Sequence, residues 1–561
     1  MKLLSLTISN FRSINGDKTT ISFEGSDIIF LIGKNNAGKS SILHAYNFFV
    51  NPKQKAERTD FYGYNPTNAI EIEAVFKQEE GDKKYFEDKG LQKWVVSKDG
   101  KYKDCVRFKK IWQGEECAGW TGVALESQKY TYDPATEEFT AGGFGGLEQY
   151  LTKCAPTAIT IPAIQTDKEL ADWVKDTFKK TVLKSLNEEQ KAVYDDAIEK
   201  IKLLQEAVLS DEQIQNLNKS ANVNFQKIFP ELKLLLQVKD AEPFSLNAAL
   251  EKEFSVHVND NSVSHGSQNI TTHGHGVLRQ AMFNFLGIVS NADVSEGKQF
   301  LLLFEEPEIY LHPKAVLLLR DALYELCKDS PFQILCCSHS PALIDISRPH
   351  TSIVRVVKQD SKTNFYQVGE DVLASDKERL QMINRFNPHI CETFFADKVV
   401  LVEGDTEAVV IRDLIARISP KSDIFVLNTG TKNNIPFFQK ILTHFNIIQH
   451  IIHDCDSADK KSAWALNRKI WDNIIAANNQ FALLARRYVF VCNFEDAHGY
   501  KHNDEDGKPL SAYKYIQTIP DTANVPVINF VKCILGLINP NSDYNQKDIE
   551  SMATSNKPDV A

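Results

Sequence analysis

The chain has 561 residues, 43% of them hydrophobic and 25% charged, which supplies ample material for buried cores and excludes disorder as the dominant state. At roughly 150 residues per domain the length allows about three to four domains, or one large domain with insertions; at least two are expected. A net charge of -10, from 64 basic and 74 acidic residues, excludes a passive basic coat on nucleic acid, since any such partner must be met by a local basic surface or by bound metal ions.

The 10 cysteines include no C-x-x-C pair and no zinc-like spacing against histidine, which predicts reduced thiols and a cytoplasmic location. The opening MKLLSLTISNFRSI alternates apolar and polar residues, so it reads as a strand and not as a signal peptide, and no stretch approaches a membrane span. From Met1 to about Tyr64 the pattern is strand, strand, glycine-rich turn and helix: Leu4, Leu6 and Ile8 alternate, Ile28 to Ile32 is a buried strand, and Ser41 to Phe49 is helical. This opens an α/β nucleotide-binding domain.

A second alternating segment, Ile70, Ile72, Ala74 and Phe76, precedes mixed charges and aromatics with turn signals at Asp99-Gly100 and Gly142 to Gly146, read as an insertion. Between about Leu170 and Asn218, Leu186, Val193, Ala197, Ile201, Leu204 and Val208 recur at helical spacing, which makes either an intramolecular core stripe or a dimerisation face. Apolar strands return at Phe300 to Phe304 and Phe332 to Cys337, so the first domain is interrupted and completed by distant sequence. From near Asp397, the strand Val399 to Val402, the helix Ala408 to Ile418, the strand Ile424 to Leu427, a helix around Phe437 to Phe445 and the strand Ile448 to Ile452 predict a second parallel-sheet domain. The polar end near Lys557-Pro558 reads as a loose tail.

The segment Gly33-Lys-Asn-Asn-Ala-Gly38-Lys39-Ser40 fits the phosphate-binding loop G-x-x-x-x-G-K-[ST], with an apolar strand before it and a helix after. Glycines let backbone N–H groups curl around phosphates, Lys39 reaches the β and γ phosphates, and Ser40 holds Mg²⁺. Asn35, Asn36 and Ser41 complete the candidate ATP contacts. The strand Leu301 to Phe304 delivers Glu305 and Glu306, then Pro307-Glu308, at the carboxyl end, where ligands of parallel sheets bind. Glu305 is the candidate for organising Mg²⁺ and Glu306 for polarising the water that attacks the γ phosphate. The strand Phe332 to Cys337 ends in Ser338-His339-Ser340-Pro341, which sets His339 near that phosphate.

These pieces, with Asn10-Phe11-Arg12-Ser13 in the opening strand, resemble the ABC-type ATPases of the SMC, RecF and OLD (overcoming lysogenisation defect) group. The resemblance implies a signature loop that caps the ATP of a second protomer. Its candidate is Thr272-His273-Gly274-His275-Gly276 before Arg279-Gln280, with Gly274 and Gly276 as ATP contacts. His265, His273 and His275 would otherwise suggest a metal, but they lack supporting cysteines or carboxylates. Glu305 replaces the usual Walker B aspartate, a form that OLD-like proteins share.

In the second domain Val399 to Val402 runs into Glu403-Gly404-Asp405-Thr406-Glu407, and Gln449 to Ile452 into His453-Asp454-Cys455-Asp456. Carboxylates at neighbouring strand ends converge on divalent metal, which can activate water and stabilise the leaving oxygen of a phosphodiester. The order E-G-x-x-E, a turn at Gly430 and D-x-D resembles the Toprim domain of topoisomerases, primases and OLD nucleases. The resemblance implies a further acidic ligand after the strand Tyr488 to Cys492, here Glu495 with Asp496 as runner-up, and a basic residue near the scissile phosphate, here Lys508 with Lys514 and Lys501 as alternatives.

The fold class expected is therefore α/β: an ABC-type ATPase (1–165 and 226–392) interrupted by a helical insertion for dimerisation (166–225) and followed by a Toprim domain (393–561). The function implied is an ATP-regulated DNA endonuclease using Mg²⁺ or Mn²⁺ in antiphage defence. Its metal ligands would be Ser40, Glu305, Glu403, Glu407, Asp454, Asp456 and Glu495, and Glu306, His339 and Lys508 its catalytic residues. Implied partners are DNA, a second copy of the chain, and either a helicase, as in Gabija systems, or a retron reverse transcriptase with its RNA–DNA hybrid. The competing reading is an ATP-driven DNA sensor or clamp whose Toprim domain does not cut.

Overall fold

The computed structural model describes residues 1–17, 19–98, 100–115, 124–141, 154–163, 211–228, 232–238, 254–260, 267–269, 277, 281, 299–328, 330–345, 350–359, 361–368, 388–457, 461–540 and 546–555. Contacts divide the chain into two units, Met1–Phe365 and Tyr366–Ala561. In the first unit β1 (Lys2–Ser9) pairs with β2 (Thr20–Ser22), and β3 (Ser26–Ile32) enters a second sheet and leads through the glycine loop into α1 (Lys39–Val50). The strand β4 (Ile70–Lys77) returns antiparallel to β1, and after α2 (Glu80–Asp88) the strands β5 (Cys105–Trp112), β6 (Gln128–Asp133) and β7 (Glu138–Ala141) extend that sheet to the order β2-β1-β4-β5-β6-β7.

Much of the segment read as an insertion is thus sheet, and β5 shows why its alternation was hidden. Its inner row is Val106, Phe108, Lys110 and Trp112, so a lysine stands among core residues, 1% exposed and with Nζ 5.5 Å from the centre of the Phe49 ring. The outer row carries bulk as well: the Arg107 guanidinium lies 4.4 Å from the Tyr132 ring and 5.2 Å from that of Phe139. A polar residue inside and aromatics outside erase the period-two signal.

The second sheet continues from β8 (Thr157–Ile161). The helix α3 (Asp211–Ile228) and the antiparallel strands β9 (Leu232–Val238), β10 (Phe254–Asp260) and β11 (Ser267–Asn269) follow in sequence. Then come β12 (Phe300–Glu305), α4 (Pro313–Cys327), β13 (Phe332–Cys337), β14 (His350–Gln359) and β15 (Lys362–Val368), giving the order β15-β14-β3-β13-β12-β8. From β14 to β8 the pairings are parallel, and Phe300 to Phe304 and Phe332 to Cys337 are buried throughout, as strands covered on both faces require. The expected helical insertion lies outside the described residues up to 210, and α3 includes its end.

In the second unit β16 (Lys398–Val402), α5 (Asp405–Ile418), β17 (Ile424–Asn428), α6 (Ile435–His444), β18 (Ile448–Asp454), α7 (Lys461–Gln480) and β19 (Ala485–Phe490) alternate. They build a wholly parallel sheet of order β17-β16-β18-β19. The chain then continues through α8 (Phe494–His498), α9 (Gly507–Gln517), α10 (Pro526–Ile534) and α11 (Gln546–Ser555). One face of the sheet, Val400, Val402, Val426, Ile452, Tyr488 and Phe490, forms a core with Ile411 and Leu414 of α5, Ile516 of α9 and Val531 of α10. The central strands β16 and β18 therefore end side by side at the carboxyl end of the sheet. Among the described residues no helix is long and apolar enough to cross a membrane.

Candidate functional site

In the first unit the loop after β3 folds around its glycines. Gly33 has φ 140°, and a Cβ there would stand 2.3 Å from the Val356 carbonyl oxygen; Gly38 has φ 106° at the start of α1. Only glycine fits either position, and both open backbone N–H groups toward the helix amino terminus, where anions bind. Lys39 is buried, its Nζ donating to the carbonyls of Gly33 and Lys34, each at 2.8 Å. Burial pushes its amine below the usual lysine range, and Glu306 and Glu308 oppose that shift. Asn35, Asn36 and Ser40 are exposed, and Ser41 Oγ lies 3.5 Å from Ser13 Oγ.

The parallel register of β12, β13 and β3 brings the other candidates to the same sheet end. Glu305 Oε2 accepts from the Ala163 amide at 3.2 Å, and its Oε1 is 4.0 Å from His44 Nε2. Glu306 sits at φ 42°, its amide donating to the Cys337 carbonyl at 2.8 Å and its Oε1 3.7 Å from His339 Nε2. Burial, and then Lys39, push the His339 imidazole below its usual range, which favours the neutral base. Glu308 had no role in the sequence reading, yet its Oε1 accepts from Ser338 Oγ at 3.0 Å and the His339 amide at 2.7 Å, fixing the histidine loop. Gly274 and Gly276 lie outside the described residues.

In the second unit Glu403 leaves β16 and Asp454 closes β18, whose neighbouring registers place the two carboxyls in one cluster. Burial, then Glu407, Glu403 and Asp456, push the Asp454 carboxyl up to about 9; burial pushes Glu403 up to about 7. Glu407 is 6% exposed and also shifted up by burial. Its Oε2 accepts from the Gly404 amide at 3.1 Å, so it caps α5 while facing the cluster. Glu403 Oε2 and Asp454 Oδ1 are buried without a hydrogen-bond partner among the described residues. Such oxygens are costly unless a cation satisfies them, so the donor set fits a hard divalent ion. As the side chains stand, no group of three or more His, Cys, Asp or Glu among the described residues is arranged to hold a metal ion. The cluster is gathered, but not closed.

Of the three candidate lysines, Lys508 Nζ is 3.2 Å from Glu495 Oε1, whereas Lys514 pairs with Asp506 at 2.8 Å. Glu495 Oε1 is also 3.8 Å from His502 Nδ1, and Asp496 accepts from Asn493 at 2.6 Å. The sequence reading missed Lys432, whose Nζ donates to the Asp454 carbonyl and to Asp456 Oδ2, both at 2.6 Å. Its one sequence signal was position, two residues after the Gly430 turn.

The AAA ATPase domain family matches residues 1–131 and 151–344, and the overcoming lysogenization defect protein-like TOPRIM domain matches residues 394–456. The chain is 24% identical over 485 residues to the Old nuclease of Escherichia phage P2, covering 81% of this chain and 77% of that one. It is 23% identical over 454 residues to Endonuclease GajA of Bacillus cereus, covering 77% and 71%, and 30% identical over 161 residues to the OLD nuclease of Thermus scotoductus, covering 28% and 30%.

Proposed function

The chain belongs to the AAA ATPase domain family and is an OLD-type ATPase-nuclease, and from that premise we propose that ATP at the Lys39 loop regulates divalent-metal-dependent cleavage of DNA by the Toprim cluster. The observation that carries this reading is the pair of adjacent parallel strand ends delivering Glu403 and Asp454, with a buried oxygen of each left without a hydrogen-bond partner among the described residues. ATP and divalent metal use follow from the two domains; Mg²⁺ or Mn²⁺ is the proposal for the ion, and antiphage defence for the setting.

A bound divalent ion supplies Lewis-acid polarisation of the phosphodiester and a lowered pKa for water. The chain's own residues do the rest. Glu403, Glu407, Asp454, Asp456 and Glu495 would hold the cation, and Lys508, whose Nζ is 3.2 Å from Glu495 Oε1, would turn its ammonium to the scissile phosphate. In the ATPase unit Gly33 and Gly38 shape the phosphate cradle and Lys39 exchanges its two carbonyl acceptors for phosphate oxygens. Ser40 and Glu305 would hold the nucleotide's metal ion, while Glu306 and the neutral His339 would orient and deprotonate water.

A second copy of the chain is the proposed oligomer partner, and a helicase or a reverse transcriptase with its RNA–DNA hybrid the proposed companion; copurification from the native host identifies it. Plasmid cleavage with Mg²⁺ or Mn²⁺, with and without ATP, tests the regulated half of the proposal. Lys39→Ala is expected to lose ATP binding and with it any ATP response of cleavage. Unchanged nucleotide affinity contradicts the phosphate-loop reading.

A further inference from the structure

Lys432 lies in the short loop between β17 and α6, beyond the Gly430 turn at φ 76°, and is 4% exposed. Burying an ammonium is costly unless opposite charge and hydrogen bonds meet it. Here Nζ donates at 2.6 Å to both the Asp454 carbonyl and Asp456 Oδ2, so one cation ties together the two ends of the D-x-D turn. From the other side the Asp456 amide donates to the Cys492 carbonyl at 3.1 Å and the Cys455 amide to that of Phe490 at 2.9 Å. Asp456 holds φ 58° between these restraints, a left-handed backbone that needs support. Lys432 donates to neither Glu403 Oε2 nor Asp454 Oδ1, which leaves those buried oxygens open to a metal.

We propose that Lys432 is a positioning residue of the cleavage centre, a built-in monovalent cation that fixes Asp456 and the Asp454 backbone and, by its charge, moderates the affinity of the carboxylates for divalent ions. This rests on the reading of the cluster as a divalent-metal nuclease centre. The charge and the positioning act in opposite directions on two observables. Removing the ammonium deepens the negative potential that attracts a cation, while releasing Asp456 from the geometry that cleavage needs. A lysine that only braced the fold would weaken both together.

The test uses the full chain with Lys432→Met, which keeps an apolar stem without charge, and Lys432→Arg, which keeps the charge. Mn²⁺ binding is read from the electron paramagnetic resonance signal of the free ion, and plasmid nicking is measured at saturating Mn²⁺. Lys432→Met is expected to bind Mn²⁺ at least about tenfold more tightly, because a unit charge within a few ångströms has been removed. It is expected to nick about 100-fold more slowly, the scale of a misplacement of about 1 Å. Lys432→Arg is expected to keep Mn²⁺ affinity within about threefold of wild type and to recover part of the nicking, since charge is kept and fork geometry is not. Equal or weaker Mn²⁺ binding by folded Lys432→Met, wild-type nicking by it, or tightened Mn²⁺ binding by Lys432→Arg overturns the inference. Wild-type protein that binds no Mn²⁺ overturns the metal-centre reading itself, and the two failures are thereby distinguished.

Discussion

Asp454→Asn is expected to stabilise the metal-free protein while destroying its use of metal. In the fold the Asp454 carboxyl is pushed up to about 9 from an ordinary value of 3.8, chiefly by burial and then by Glu407, Glu403 and Asp456. Between those values the folded state binds a proton that the unfolded state has released, so stability falls as pH rises. Glu403, raised to about 7 from 4.5, adds to the decline mainly at lower pH, so between about pH 7 and 9 the difference in slope between wild type and Asp454→Asn reports Asp454, while the other groups that titrate there contribute to both proteins. One proton over that interval is worth about 2 kcal/mol, or roughly 4–8 °C in Tm for a unit of this size. The assay is thermal unfolding of the second unit's transition in chelator at both ends of the interval. Wild type should lose this increment on going up, and Asp454→Asn should keep it. A variant with the same pH slope as wild type, or a lower Tm throughout, refutes the argument.

Three further outcomes follow from particular contacts. Gly33→Ala forces a Cβ to within 2.3 Å of the Val356 carbonyl oxygen at φ 140°, a strain of about 1–3 kcal/mol or more, so denaturant unfolding should shift down and ATP affinity should drop. Glu306→Gln and His339→Ala should each lower ATP hydrolysis by about 10²-fold or more with ATP binding kept, because both act on water and not on the nucleotide; loss of binding in step with hydrolysis would remove them from that role. Lys508→Ala, whose side chain is 58% exposed, should leave Tm unchanged yet slow cleavage by about 10²-fold, and full activity would return the phosphate role to Lys501 or Lys514.

The readable parts of the molecule were those in which backbone geometry demands a residue type. The glycines of the Lys39 loop, the apolar runs at Phe300 and Phe332, and the acids ending β16 and β18 all declare their position through local spacing. What was hidden depends on packing between distant segments. Lys110 occupies a core row because Phe49 lies under it, and Glu308 binds the His339 amide across two strands, neither of which any local period encodes. Lys432 had the appearance of an ordinary turn lysine until β18 brought Asp456 to it. The last strand was placed three residues late at its start and two at its end, where Cys492 at φ 60° already turns the chain after Phe490.

The most direct test of the central claim is conversion of supercoiled plasmid to nicked or linear product by wild type, Glu403→Ala and Asp454→Ala, each with Mg²⁺ or Mn²⁺ and with chelator. Metal-dependent cleavage by wild type, reduced by about 10²-fold or more in both variants, is the result expected. Cleavage that is equal in all three proteins, or that survives chelation, contradicts the assignment of the Toprim carboxylates as the nuclease centre.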